Sequence, residues 1–303
     1  MSTTDHSNPK DVQIECAKKQ ELEAWKSHNV YNEVPNEGQD CMSVRWVVTP
    51  KVIDGVASVK ARLVAKGFKE LQNFRKDSPT CSRESIRLAL ATIASKKWNL
   101  QGIDITRAFL QGNQIDHVVY LKLPSEANTQ MLWRLNKCVY GLGDASRAFY
   151  LKLDNELTQL KAQQSTLDQG LYFYFENELL AGILVAHVDD ILYGGNDSFL
   201  TIVIQPLSQA LVFGTEHYRV FEYLGVELIQ NSDFSISVNQ NNFARTIKAI
   251  HITDGCQGDD LLTVEQREMF RTAVGQLTWL TGISRPEISS RMPSCKCVSI
   301  SDY

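Results

Sequence analysis

Three aspartates are the side chains best placed to do chemistry. Asp104 stands between Ile103 and Ile105, and the adjacent pair Asp189 and Asp190 separates an apolar run ending at Val188 from Ile191, Leu192 and Tyr193. An Asp-Asp pair between two apolar β-prone runs reads as the tip of a tight hairpin, and by itself it would be an ordinary turn. Asp104 changes the reading, because a charge flanked by buried positions is costly unless a cation compensates it. Phosphoryl transfer uses two divalent ions about 3.5 to 4 Å apart, one on the attacking hydroxyl and one on the leaving oxygen. Mg²⁺ is content with one or two carboxylates plus substrate phosphates, so Asp104 and Asp189 would suffice without histidine or thiolate. The chain has no GxxxxGKS or GxxxxGKT loop and no HExxH, which removes the main support for a P-loop nucleotide hydrolase or a zinc protease.

The surrounding pattern predicts the elements that would carry these residues. An alternating run from Arg45, the turn Ile53-Asp54-Gly55 and a second run through Leu63 predict a β-hairpin. Lys60 and Arg62, two residues apart, share one face of it, and Val59, Ala61 and Leu63 take the other. Ser82 is a cap for a helix over 83–97, with Ile86, Leu90 and Ile93 at helical spacing, followed by a strand over 100–105. Phe149, Leu153 and Leu157 predict a helix over 145–161, and two strands, 171–175 and 179–188, lead into the Asp pair. Residues 1–43 are polar, with only 15–25 weakly helical, and are expected to form a loosely attached leader.

The chain's 303 residues, 43% hydrophobic and 22% charged, are enough for one large core or two lobes. No run approaches the ~20 apolar residues of a membrane helix, and the first residues lack the apolar centre of a signal peptide. The seven cysteines, Cys16, Cys41, Cys81, Cys138, Cys256, Cys295 and Cys297, fit neither a disulfide framework nor paired CxxC zinc ligands, which favours a reducing, intracellular setting. The net charge is −4, but the segment from Arg45 to Lys97 holds 12 Lys and Arg against four acids, so the remainder carries a net −12. A basic segment beside an acidic body suits phosphates on one part and cations on another.

Seven blocks then occur in the order of one known family: KARLVAKGF (60–68), SPTCSRESIR (78–87), IDITRAFLQG (103–112), CVYGL (138–142), HVDDILYGG (187–195), YLGVEL (223–228), and FRTAVGQLTWL with SRPEI (270–288). Together they resemble the reverse transcriptases of copia-type long-terminal-repeat retrotransposons. The resemblance implies an α+β right-hand polymerase with fingers and palm subdomains, a mostly antiparallel palm sheet flanked by helices. It spans residues 44–290, with the start of a thumb or connection, and leaves an atypical tail at 291–303. It implies two Mg²⁺ ions, with Mn²⁺ as a substitute, held by Asp104, Asp189, Asp190 and the backbone carbonyl of Ile105. Lys60 and Arg62 would meet the triphosphate, Arg107 and Ala108 would offer backbone amides to it, and Phe109 would be the aromatic gate against a ribose 2′-hydroxyl. Tyr223, Leu224 and Gly225 would belong to the primer grip. The implied partners are an RNA or DNA template with its primer and deoxynucleoside triphosphates, with no membrane, and the implied location is cytoplasmic, in virus-like particles, or nuclear.

Two positions depart from the family pattern: His187 stands where tyrosine is usual, and Gly143 where lysine or asparagine is commoner. The chain shows no recognisable capsid, protease, integrase or ribonuclease H region, so it is expected to be a fragment or relic. An active polymerase and a catalytically inactive nucleic-acid-binding or interaction protein both remain open at this point. An RNA-copying RNA polymerase is disfavoured by Phe109.

Overall fold

The computed structural model describes residues 9–53, 56–67, 75–127, 131–249 and 263–291. The hairpin tip at Asp54 and Gly55 and the tail from residue 292 onward, with Cys295 and Cys297, lie outside the described residues. Along the chain the strands are β1 (Tyr31–Val34), β2 (Met42–Ile53), β3 (Val56–Ala65), β4 (Gln101–Ile105), β5 (Tyr120–Lys122), β6 (Leu132–Leu135) and β7 (Gln163–Gln164). They continue as β8 (Leu171–Glu176), β9 (Leu179–His187), β10 (Asp190–Gly195), β11 (Phe213–Tyr218), β12 (Val220–Tyr223), β13 (Val226–Gln230) and β14 (Ile236–Asn239). The helices that matter below are α1 (Pro9–Ser27), α2 (Arg83–Ser95) and α3 (Ala145–Gln159), and a long helix follows at Val264–Ile283. The predicted elements therefore form, with ends shifted by a residue or a few, as helix and strand ends usually are.

The chain divides into two compact units, residues 1–89 with 103–216, and residues 90–102 with 217–303. Within the first, a five-stranded sheet runs in the order β1-β6-β5-β2-β3, antiparallel except for the β2–β5 pair. A second, six-stranded sheet runs in the order β11-β4-β10-β9-β8-β7. Its centre is β9, whose residues from Ala181 to Ala186 are all buried. Phe149, Leu153 and Leu157 of α3 pack with Ile103, Ile105, Tyr172 and Leu184 of that sheet, and Phe199, Val203 and Leu207 from the helical run after β10 join them. Ser82 caps α2 as its sequence suggests: its hydroxyl accepts the Ser85 N–H at 3.1 Å.

The leader departs from expectation. Residues Pro9–Ser27 form a continuous helix, not a short weak one, and it is packed, not loose. Trp25 and Val30 are fully buried in the same core as Leu63, Leu121 and Trp133. Trp133 lies between Trp25, 5.7 Å away by ring centroids, and Tyr31, stacked at 3.8 Å. Helical periodicity missed this because the helix has few apolar residues along its length; its attachment is concentrated near its C-terminal end.

In the second unit, β12, β13 and β14 form an antiparallel meander. The buried amide of Gln230 fastens it to the segment before β4, accepting the Leu100 N–H at 2.9 Å and donating to the Trp98 carbonyl at 2.8 Å. Tyr223 is buried, and Leu224 and Gly225 form the β12–β13 turn with φ of 50° and 75°. Two successive positive φ values are what a tight two-residue hairpin requires, and glycine supplies the second without strain.

Candidate active site

The Asp pair sits at a hairpin tip, as its sequence suggests. Strands β9 and β10 pair antiparallel with His187 opposite Asp190, so Val188 and Asp189 make the turn. Val188 has φ 57°, a left-handed conformation that a β-branched residue adopts only at a cost of about 1–3 kcal/mol. The tip is then joined to β4: the Ile105 N–H donates to the Asp189 carbonyl at 2.9 Å. Because the chain alternates faces along a strand, this bond buries the Ile105 side chain in the core while Asp104 takes the other face.

The electrostatics show that the three carboxylates share a locality. Burial pushes the Asp190 carboxyl up to about 6, and Asp189 and Asp104 add to the shift by repulsion. Asp189 is also raised, first by burial and then by Asp104, while Arg62 and Lys60 pull it down. Desolvation and then the neighbouring Arg62 hold the Lys60 ammonium below the ordinary lysine value, with Asp104 opposing them. Two acids raised by burial and mutual repulsion, with hard oxygen donors, fit a divalent cation of the Mg²⁺ kind.

Arg62 of β3 faces a built wall. The Arg62 guanidinium lies over the Tyr140 ring at 5.6 Å, and Tyr140 in turn meets Phe109 at 4.9 Å between centroids. Burial raises the Tyr140 phenol. The Nε of Arg62 is buried and has no hydrogen-bond partner among the described residues. Backbone contact fixes this wall, since the Ala65 N–H donates to the Tyr140 carbonyl at 2.8 Å. Gly141, at φ 96°, comes so near that an added Cβ would stand 2.0 Å from the Ala65 carbonyl oxygen, which explains the glycine in CVYGL.

The turn after β4 carries the remaining candidates. Arg107 is left-handed at φ 51° and ψ 44° and opens a 3-10 turn, Ala108–Gln111. Ala108 is buried and Phe109 is half-buried between the two core clusters. The buried side chain of Gln111 clamps the turn: its amide donates to the Thr106 carbonyl at 2.6 Å, and its oxygen accepts the Val212 N–H at 2.8 Å. Gly214 follows, where a Cβ would lie 2.7 Å from Asp104 Oδ2 and from Thr106 Oγ1. Arg107 Nε reaches Glu21 Oε2 of α1 at 3.2 Å.

The structure thus brings together Asp104, Ile105, Asp189, Asp190, Lys60 and Arg62, with Phe109 tied to Arg62 through Tyr140. Tyr223, Leu224 and Gly225 belong to the second unit. Tyr140, Gln111, Gly214 and Glu21 were not singled out from sequence; Tyr140 and Gln111 lie in family blocks, whereas Gly214 and Glu21 lie in none. Of the two departures, His187 has a buried Nδ1 without a hydrogen-bond partner among the described residues, and at Gly143 the Lys76 side chain occupies the space a Cβ would enter, with Cε 2.7 Å away. Asp116, His117 and Asp144 form a separate group whose ligand atoms lie within 4.8 Å of one another. There His117 Nδ1 is 3.0 Å from Asp116 Oδ1 and 3.9 Å from Asp144 Oδ2, and Asp116 is open to water.

A family model described as reverse transcriptase (RNA-dependent DNA polymerase) matches residues 28–260. The chain is 31% identical over 229 residues to a retrovirus-related Pol polyprotein from transposon RE1, and 32% identical over 229 residues to that from RE2, both of Arabidopsis thaliana. Each alignment covers 72% of this chain and 16% of the relative. A third Pol polyprotein, from transposon TNT 1-94 of Nicotiana tabacum, is 31% identical over 208 residues, 64% of this chain and 15% of the relative. Among solved structures, a foamy viral protease-reverse transcriptase in complex with double-stranded DNA superposes with a TM-score of 0.50 at 12% identity, covering 99% of this chain and 46% of that one. This likeness bears on the fold, and it agrees with the mixed α+β architecture and antiparallel sheets described above. Among the described residues no helix is long and apolar enough to cross a membrane.

Proposed function

The chain belongs to the copia-type reverse transcriptase (RNA-dependent DNA polymerase) family, and from that premise we propose that it adds deoxynucleotides to a primer 3′-end, with Asp104 and Asp189 as the principal metal ligands. The chain spans 16% of the length of the plant polyproteins it matches, so their other activities are not carried over. The observation that carries the proposal is the Ile105 N–H to Asp189 carbonyl bond, which joins β4, the strand of Asp104, to the hairpin tip that carries Asp189 and Asp190.

Asp104, Asp189, Asp190 and the Ile105 carbonyl would hold two Mg²⁺ or Mn²⁺ ions. Bound there, such ions make the primer 3′-hydroxyl easier to deprotonate and neutralise charge on the leaving pyrophosphate. The 3′-hydroxyl would release its proton to solvent and its oxygen would bond to the α-phosphorus as the bond from that phosphorus to the α,β-bridging oxygen breaks, pyrophosphate leaving. Lys60 and Arg62 then serve as cations for the triphosphate, and the orphan Arg62 Nε–H supports that role. Arg107 and Ala108 offer amides from a turn held rigid by Gln111. Phe109, braced on Tyr140, is placed to select against a 2′-hydroxyl. The grip role of Tyr223, Leu224 and Gly225 rests on the match of their block alone. In this reading the six-stranded sheet is the palm and the β2–β3 hairpin belongs to the fingers.

The test is primer extension on an RNA template with Mg²⁺ or Mn²⁺. The natural chain should elongate the primer with deoxynucleotides, and Asp189→Asn should reduce elongation at least a thousandfold, of the order of removing a metal site. Equal extension by both proteins would remove Asp189 from the mechanism, and template binding without extension would identify a binding protein.

A further inference from the structure

Glu21 is a charged residue in an unexpected place. It lies on α1, is 3% exposed, and accepts two hydrogen bonds, from Trp25 Nε1 at 3.3 Å and from Arg107 Nε at 3.2 Å. Removing a carboxylate from water costs several kcal/mol, and an apolar residue of similar size often packs as well or better. Docking α1 does not need this charge, because Trp25 and Ala24 already bury themselves against the core. The carboxylate therefore needs an explanation other than attachment.

Its partner supplies one. Arg107 holds the left-handed conformation that starts the turn after Asp104, and a bulky residue there costs about 1–2 kcal/mol unless something holds it. Gln111 clamps that turn on one side, through the Thr106 carbonyl, and Glu21 is the side-chain anchor on the other. The side-chain hydrogen bond of Arg107 to Glu21 runs through Nε, and 32% of the arginine side chain is exposed. The field of the same carboxylate also reaches Lys60 and Tyr140, the cation and the aromatic wall of the pocket.

We infer that Glu21 is a positioning residue for the incoming nucleotide, fixing Arg107 so that the 106–109 turn presents its amides and the guanidinium edge to the triphosphate, which makes the N-terminal helix a part of the nucleotide pocket. This rests on the polymerase reading. Glu21→Gln keeps an acceptor for Trp25 and removes the charge that holds Arg107. In steady-state extension it should raise the KM for deoxynucleotide about tenfold, with kcat and primer-template affinity within about threefold of the natural chain, as expected for a displaced binding group. Arg107→Gln should raise KM similarly, and the double variant should be no worse than either single change, because the two residues act as a unit.

Thermal melting separates this from a structural role. A loss of melting temperature with unchanged KM, a fall in KM, or multiplicative effects in the double variant would each overturn the inference while leaving the polymerase reading intact. No incorporation by the natural chain would overturn both.

Discussion

At Asp190 burial and charge act together on one carboxyl. Its carboxyl titrates near 6, above the ordinary aspartate value of about 4, because burial and then its two acidic neighbours disfavour the charged form. The folded state therefore binds a proton that the unfolded chain releases between about pH 4 and pH 6, so this group's contribution to stability falls as pH rises through that window. Above it the metal-free fold carries the full cost of the charge. Asp190→Asn is expected to raise the unfolding free energy of the metal-free protein at pH 7.5, by on the order of 1 kcal/mol after discounting for solvent screening, and with it the melting temperature, and to give no gain near pH 4. Melts at the two pH values measure this, and equal shifts at both would contradict the assigned cause. Divalent cation should reverse the ranking at pH 7.5, since the natural chain then gains binding energy that the variant has lost.

At the scale of elements, the site depends on how closely three backbone segments approach. Strand β11 lies against Asp104 because position 214 has no side chain. Gly214→Val should drive Oδ2 of Asp104 out of place and lower kcat at least a hundredfold, with the melting temperature changed by only a few degrees. Steady-state extension with circular dichroism would check both parts, and unaltered kcat would show that the carboxylate tolerates displacement. The same scale explains what could be read beforehand. The hairpins, α2 with its Ser82 cap, α3 with Phe149, Leu153 and Leu157, and the acidic tip all follow local rules, so periodicity and turn chemistry sufficed. Glu21 and Arg107 are 86 residues apart, and no local rule pairs a glutamate on a polar helix with an arginine in a turn. Tyr140 and Gly214 were missed for a related reason: an aromatic or a glycine acquires its meaning only when a distant strand comes to rest against it.

For the whole molecule, the misjudged leader has the largest consequence. Trp25 and Val30 complete a core that otherwise ends at Trp133, Leu63 and Leu121. Removing residues 1–27 would uncover that surface, and losing a buried Trp alone costs about 3–5 kcal/mol, a large part of the 5–15 kcal/mol by which a domain is usually stable. The truncated chain is expected to lack a cooperative thermal transition and to aggregate on concentration; a sharp transition near that of the full chain would show the helix to be dispensable. The single amide-to-carbonyl link between Ile105 and Asp189 also acts beyond its own strength. Since it forms as the sheet assembles, the entropy of bringing mutually repelling acids into register is met once, during folding, and is not charged to each turnover. If the proposed reaction holds, its readiness would be drawn from the same free energy that keeps the sheet together, so variants that loosen β4 or β10 should lose turnover before they lose their shape.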